Sequence, residues 1–90
     1  MIDVKDATKA AIRYFSDLYG SKYSNLALEE VELSNDEQYW LITLGYDVNE
    51  LAQFFGPSKA NRNYKIFKIN ARTGDIVSMK MREISHGSNS

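Results

Sequence analysis

The chain has no cysteine, one proline and one histidine. Without cysteine it can form no disulfide, no thiolate metal site and no thiol nucleophile, and such a composition suits a reducing compartment. The single histidine, His86, sits in the Gly/Ser-rich tail "SHGSNS". A nucleophile, a base and an orienting residue need fixed mutual geometry, which a solvated tail does not give. Long apolar runs are missing too, and nothing approaches the roughly 20 residues of a membrane-spanning helix. The N-terminus "MIDVKDATKAAIRYF" puts Asp3 and Asp6 where a signal peptide carries basic residues and then an apolar stretch. The expected location is therefore cytoplasmic, with export only if a leader has been removed. No Gly-rich phosphate loop is present, and no cofactor is expected.

What is there fits one domain. Ninety residues leave no room for a second core, so residues 1–84 are expected to fold together and residues 85–90 to form a disordered tail. Charge is divided unevenly: residues 1–50 hold ten acids and four bases, whereas residues 51–90 hold two acids and seven bases. Opposite-signed strands that attract across a sheet account for this split; the functional alternative is a dipolar surface that orients a partner.

Hydrophobic spacing predicts one helix followed by four strands. Val4, Ala7, Ala11, Tyr14 or Phe15, and Leu18 follow steps of three and four. Asp3 or Asp6 is placed to cap this helix and Gly20 to end it with a left-handed residue. In "NLALEEVELS" the alternation of Leu26 and Leu28 slips by one residue before Val31 and Leu33, which predicts a bulge at Glu29-Glu30. "YWLITLGYDV" puts Trp40, Ile42, Leu44, Tyr46 and Val48 on one face, and Tyr39, Leu41, Thr43 and Gly45 on the other. The Gly56-Pro57 segment breaks the pattern, with Leu51, Phe54 and Phe55 before it. "YKIFKINARTGDIVSMKM" then reads as a hairpin with Gly74 at the positive-φ position. One apolar stripe on a helix needs a sheet to lie on. The expected fold is α+β, one N-terminal helix packed on a twisted four-stranded antiparallel meander. Its expected core is Ala7, Ala11, Phe15, Leu18, Leu26, Leu28, Val31, Leu33, Trp40, Ile42, Leu44, Phe67, Ile69, Val77, Met79 and Met81, with Ile66 and Phe67 competing for the inside.

A helix, a four-strand meander and the closing run Ile69-Asn70-Ala71-Arg72-Thr73-Gly74-Asp75-Ile76-Val77 together resemble the PepSY family of small, cystatin-like domains. "ATKAAIRYF" stands where that family has its Ala-rich helix, and Asn70 stands where it usually has Asp. The resemblance covers about residues 5–83. It implies a stand-alone module related to domains found in metalloprotease propeptides, where they are thought to restrain peptidases.

Three features are candidate sites. Glu29, Glu30 and Glu32 offer carboxylates, but strand alternation makes them an exposed face, and carboxylates without ligand spacing hold no metal. No enzyme and no metal site is therefore expected. Leu51, Phe54 and Phe55 form a candidate partner-binding loop, since exposed aromatics are enriched in binding hot spots; the alternative is that they cap the core. Tyr39, Leu41, Tyr64, Ile66, Lys68, Lys80 and Arg82, with Thr43 and Ser78, should share the sheet face away from the helix. That face reads as a solvated surface whose long basic stems cover apolar neighbours, as a homodimer interface, or as a stacking platform for single-stranded nucleic acid on Tyr39 and Tyr64. The near-neutral charge argues against the last. The expected function is a non-catalytic protein-binding or regulatory module; peptidase restraint, or a structural homodimer without ligand, is the alternative.

Overall fold

The computed structural model describes residues 1–48 and 62–82. In chain order these form α1 (Val4–Tyr19), β1 (Tyr23–Leu33), β2 (Tyr39–Val48), β3 (Arg62–Asn70) and β4 (Ile76–Met81). The strands make one sheet in the order β1-β2-β3-β4, every neighbouring pair antiparallel, and α1 packs on one face. This is the α+β helix-on-meander fold expected from the sequence. Leu51, Phe54, Phe55, Gly56-Pro57 and the tail with His86 lie outside the described residues.

The helix begins as its cap predicts. The Asp3 carboxylate accepts the Asp6 N–H at 2.8 Å, satisfying one of the donors that a helix start leaves open. It ends at Gly20, whose N–H donates to the Ser16 carbonyl at 2.8 Å with φ at 59°, a region glycine enters without a Cβ penalty. Asp36 organises the β1–β2 turn: its carboxylate accepts the Ser34 hydroxyl at 2.6 Å and the Gln38 N–H at 3.0 Å. Those bonds, the hydroxyl first, hold its pKa below the ordinary carboxylate value.

Inside, Ala7, Ala11 and Phe15 meet Ile42, Leu44, Tyr46, Phe67 and Ile69. The two alanines let the helix backbone approach the sheet, and Phe15 fills the space at its far end. Its ring centroid lies 4.7 Å from those of Tyr19, Tyr23 and Tyr46. Phe67, not Ile66, takes the inside. The N-terminus is tied down as well: the Ile2 N–H donates to the Ala71 carbonyl at 2.7 Å, and the Trp40 indole N–H donates to the Ile2 carbonyl at 3.1 Å.

Bulges set the strand faces. Leu28 pairs with Leu44 and Glu30 with Thr43, so Glu29 is the extra residue and the bulge falls where the sequence slips phase. A further shift lies between Ser24 and Ala27, at Asn25 with φ 54°. The sequence reading did not contain it. A third corrects β4. Lys68 pairs with Ser78 but Ile69 with Ile76, which makes Val77 the extra residue. Ile76 packs against the core and Val77 is half exposed.

Four other expected core residues are also exposed: Leu18, Leu28, Val31 and Met81. Leu18, on α1 itself, lies off the helix face that Ala7, Ala11 and Phe15 turn to the sheet. For Leu28, Val31 and Met81, on the edge strands, the cause is a mismatch of widths. Four strands span roughly 19 Å, whereas a helix with its side chains covers about 10–12 Å. The helix lies over the middle strands, and apolar residues beside it stay uncovered at both edges.

Candidate interaction surfaces

The sheet face away from α1 collects the residues that the sequence placed there. Tyr39, Leu41, Thr43, Gly45 and Asp47 of β2 pair with Asn70, Lys68, Ile66, Tyr64 and Arg62 of β3, and Ser78 and Lys80 of β4 extend the face. Here the acidic first half of the chain meets the basic second half. Arg62, on β3, reaches over β2 to Glu29 on β1 at 2.8 Å and also contacts Asp47 at 3.6 Å. Glycine at position 45 makes room for this arm: a Cβ there would lie 2.5 Å from the Glu29 carboxylate and 3.0 Å from the Arg62 guanidinium. Arg82 donates to the Glu30 carboxylate and to the Thr43 hydroxyl at 3.0 Å.

The Arg82–Glu30 contact joins the two edges of the sheet. A flat sheet holds its outer strands roughly 14 Å apart. Twist, increased by bulges, folds one diagonal of the face inward and lets the two side chains meet. Thr43 is nearly inaccessible beneath them. The Lys68 ammonium stands 4.3 Å above the Tyr39 ring, which occupies one of the two rings on which the disfavoured nucleic-acid alternative would have relied. This face is largely engaged with itself. Glu29 and Glu30 are likewise held by arginines, and among the described residues no group of three or more His, Asp or Glu gathers as a metal site.

The helix side carries a surface that the sequence reading missed. Between α1 and β1 runs an open groove of about 670 Å³, lined by Val4, Thr8, Leu28, Val31 and Trp40 with Lys5 and Lys9. The side-chain polar atoms of its floor are already used. The Thr8 hydroxyl donates to the Val4 carbonyl at 2.8 Å, and the Trp40 indole N–H is bound to Ile2. Ile12, partly exposed, continues the row Val4-Thr8 at the next i+4 position. The opposite flank of α1 differs: its hollow of about 560 Å³ is lined by Asp6, Lys9, Ala10, Arg13, Tyr14, Asp17 and Ile76, a mixed and charged surface.

Near the far end of α1, Tyr46 is buried and its hydroxyl lies 3.9 Å from the Met81 sulfur. Burial, and then the neighbouring Tyr19, raise its pKa above the ordinary tyrosine value. No helix among the described residues is long and apolar enough to cross a membrane. No family model, curated protein or solved structure matches the chain.

Proposed function

We propose that the chain is a non-catalytic module that binds another protein through apolar surface that α1 leaves open. One observation carries this reading. Leu28 and Val31 lie on the helix side of the sheet, yet remain 47% and 36% exposed, and they join Val4 and Trp40 in one continuous groove. Contiguous exposed apolar surface marks interaction sites in soluble proteins. The outer face is a weaker candidate, because its arginines and Lys68 already contact its own acids and Tyr39. Holding Glu29 and Glu30 in ion pairs also favours a role without catalysis, and the cysteine-free composition favours a cytoplasmic setting.

A second reading is restraint of a peptidase, as the PepSY resemblance implies. The closing hairpin, on which that resemblance rests, forms a built turn. The Asn70 side-chain oxygen accepts the Arg72 and Thr73 N–H groups at 2.8 and 3.1 Å, the task an aspartate would perform at that position. Gly74 follows with φ at 82°, and its N–H closes the turn on the Asn70 carbonyl at 2.8 Å.

The test is a pull-down from the source lysate with tagged wild type, Leu28→Glu/Val31→Glu and Phe54→Ser/Phe55→Ser, each first shown to be folded by circular dichroism. The expected result is a partner captured by wild type and lost by the groove variant. Loss with the phenylalanine variant alone moves recognition to the loop. Identical captures by all three, or none, overturn the reading. If the captured protein is a peptidase, its inhibition by wild type decides for restraint.

A further inference from the structure

We propose that the α1–β1 groove seats an amphipathic helix of a partner protein, apolar on the docking side and carrying carboxylates one turn apart that meet Lys5 and Lys9. This rests on the protein-binding reading and specifies its place and chemistry.

The space is the first argument. The sheet is roughly 19 Å wide and α1 covers about 10–12 Å of it. A second helix packed beside α1 at about 8–10 Å would have its axis over β1, resting on the open apolar strip and overhanging the sheet edge. An extended strand added to the β1 edge fits less well. The register of β1 shifts twice, once between Ser24 and Ala27 and once between Leu28 and Glu30, and such bulges disrupt an edge as a template.

Chemistry is the second argument. With the Thr8 hydroxyl and the Trp40 indole satisfied internally, the floor offers a ligand only apolar contact. The charges on offer are the ammonium groups of Lys5 and Lys9, both exposed, and among the described residues neither is in an ion pair. They stand four residues apart on α1 and therefore one above the other along the groove. The complement is an apolar stripe bordered by acids at i and i+4, which is a helix pattern. On the opposite flank Asp6 and Asp17 mix with Arg13 and with Lys9, which borders both hollows, so that side selects no sign of charge.

The chain has one tryptophan, and it lines the groove, so its emission reports occupancy. The probes are two helical peptides of α1's length with the same Leu/Ala stripe, one bordered by Glu at i and i+4, the other by Lys. The Glu peptide is expected to shift Trp40 emission to the blue and to bind about ten-fold more tightly than the Lys peptide, the effect of two surface ion pairs replaced by two repulsions. Lys5→Glu/Lys9→Glu, at exposed positions that leave the core intact, should reverse the preference. Equal binding of both peptides, or no reversal, overturns the proposal. So does an emission shift caused by dodecanoate but not by the Glu peptide, which would make the groove an acyl-chain site. A dimer in sedimentation that Val31→Glu dissociates would also overturn it in favour of a second copy. If the peptides fail while the groove variant still loses a captured partner, the specific occupant is wrong and the protein-binding reading stands.

Discussion

Tyr46 concentrates several consequences of a small core in one side chain. It packs against Phe15, it is buried, and among the described residues its hydroxyl's partner is the Met81 sulfur at 3.9 Å, a weak acceptor. A phenolate there would lose its hydration without a good partner, so burial first and Tyr19 second raise the folded-state pKa. The unfolded chain returns the group to about 10. Native protein thus holds the proton where unfolded protein has released it, and stability falls with pH in that window. The contribution is complete below about pH 10 and is lost as pH climbs through the raised folded value. Tyr46→Phe removes it. Melting curves of the two proteins should differ little at pH 7, since the hydroxyl contact is weak. Above about pH 10 the variant should gain on wild type steadily. A difference that does not change between pH 8 and 11 would mean that the hydroxyl reaches water in the folded state.

Among the elements, β4 shows how one inserted residue changes which side chain matters. The sequence gives Val77, Met79 and Met81 a single alternating phase, and that pattern is locally correct for Met79. It fails at Val77 because pairing of Ile69 with Ile76 rather than Val77 brings Ile76 against the core and turns Val77 outward. Ile76 is partly buried against the core, so Ile76→Ser should destabilise by about 1–2 kcal/mol, below the roughly 2–5 kcal/mol of fully buried large-to-small changes. Val77→Ser should stay near the ±0.5 kcal/mol typical of exposed sites. Urea denaturation of both variants checks this, and the opposite ranking would restore the unbroken alternation. The contrast with β1 explains what was legible. Its bulge at Glu29 falls between two leucines and a valine whose phases conflict, so the alternation has to break there. At Val77 the neighbours Ile76 and Val77 are both apolar and β-branched, and either satisfies the pattern. The helix, the strand order, the Asn70–Asp75 turn and the faces of β2 were readable for the same reason as Glu29, since each has residues of contrasting chemistry to fix it. The α1–β1 groove was not, because Leu28 and Val31 are good core residues by type, and only the width of a single helix against four strands leaves them uncovered.

For the molecule as a whole, the division of charge along the chain becomes a division across the sheet, acids on β1 and bases on β3 and just beyond β4. Two arginine arms bridge it, Arg62 to Glu29 and Asp47, and Arg82 to Glu30. These side chains are partly exposed, so each bridge contributes little, about 0–1 kcal/mol by comparison with similar pairs. Arg82–Glu30 also joins the two edges of the sheet, and Arg62 ties β3 to β1 across β2. Salt should weaken them, because screening shortens the reach of exposed charges from about 10 Å at 0.1 M to a few ångströms near 1 M. Raising sodium chloride from about 0.02 to 0.5 M should lower Tm by several degrees, since 1 kcal/mol corresponds to about 4–8 °C in a domain of this size. In Arg82→Met/Arg62→Met the salt dependence should shrink or change sign, because the clustered acids Glu29, Glu30, Glu32 and Asp47 would then repel without compensation. If wild type instead gains stability with salt, repulsion within the acidic half outweighs the two bridges. The outer face would then be under electrostatic strain, and a basic partner there would relieve it.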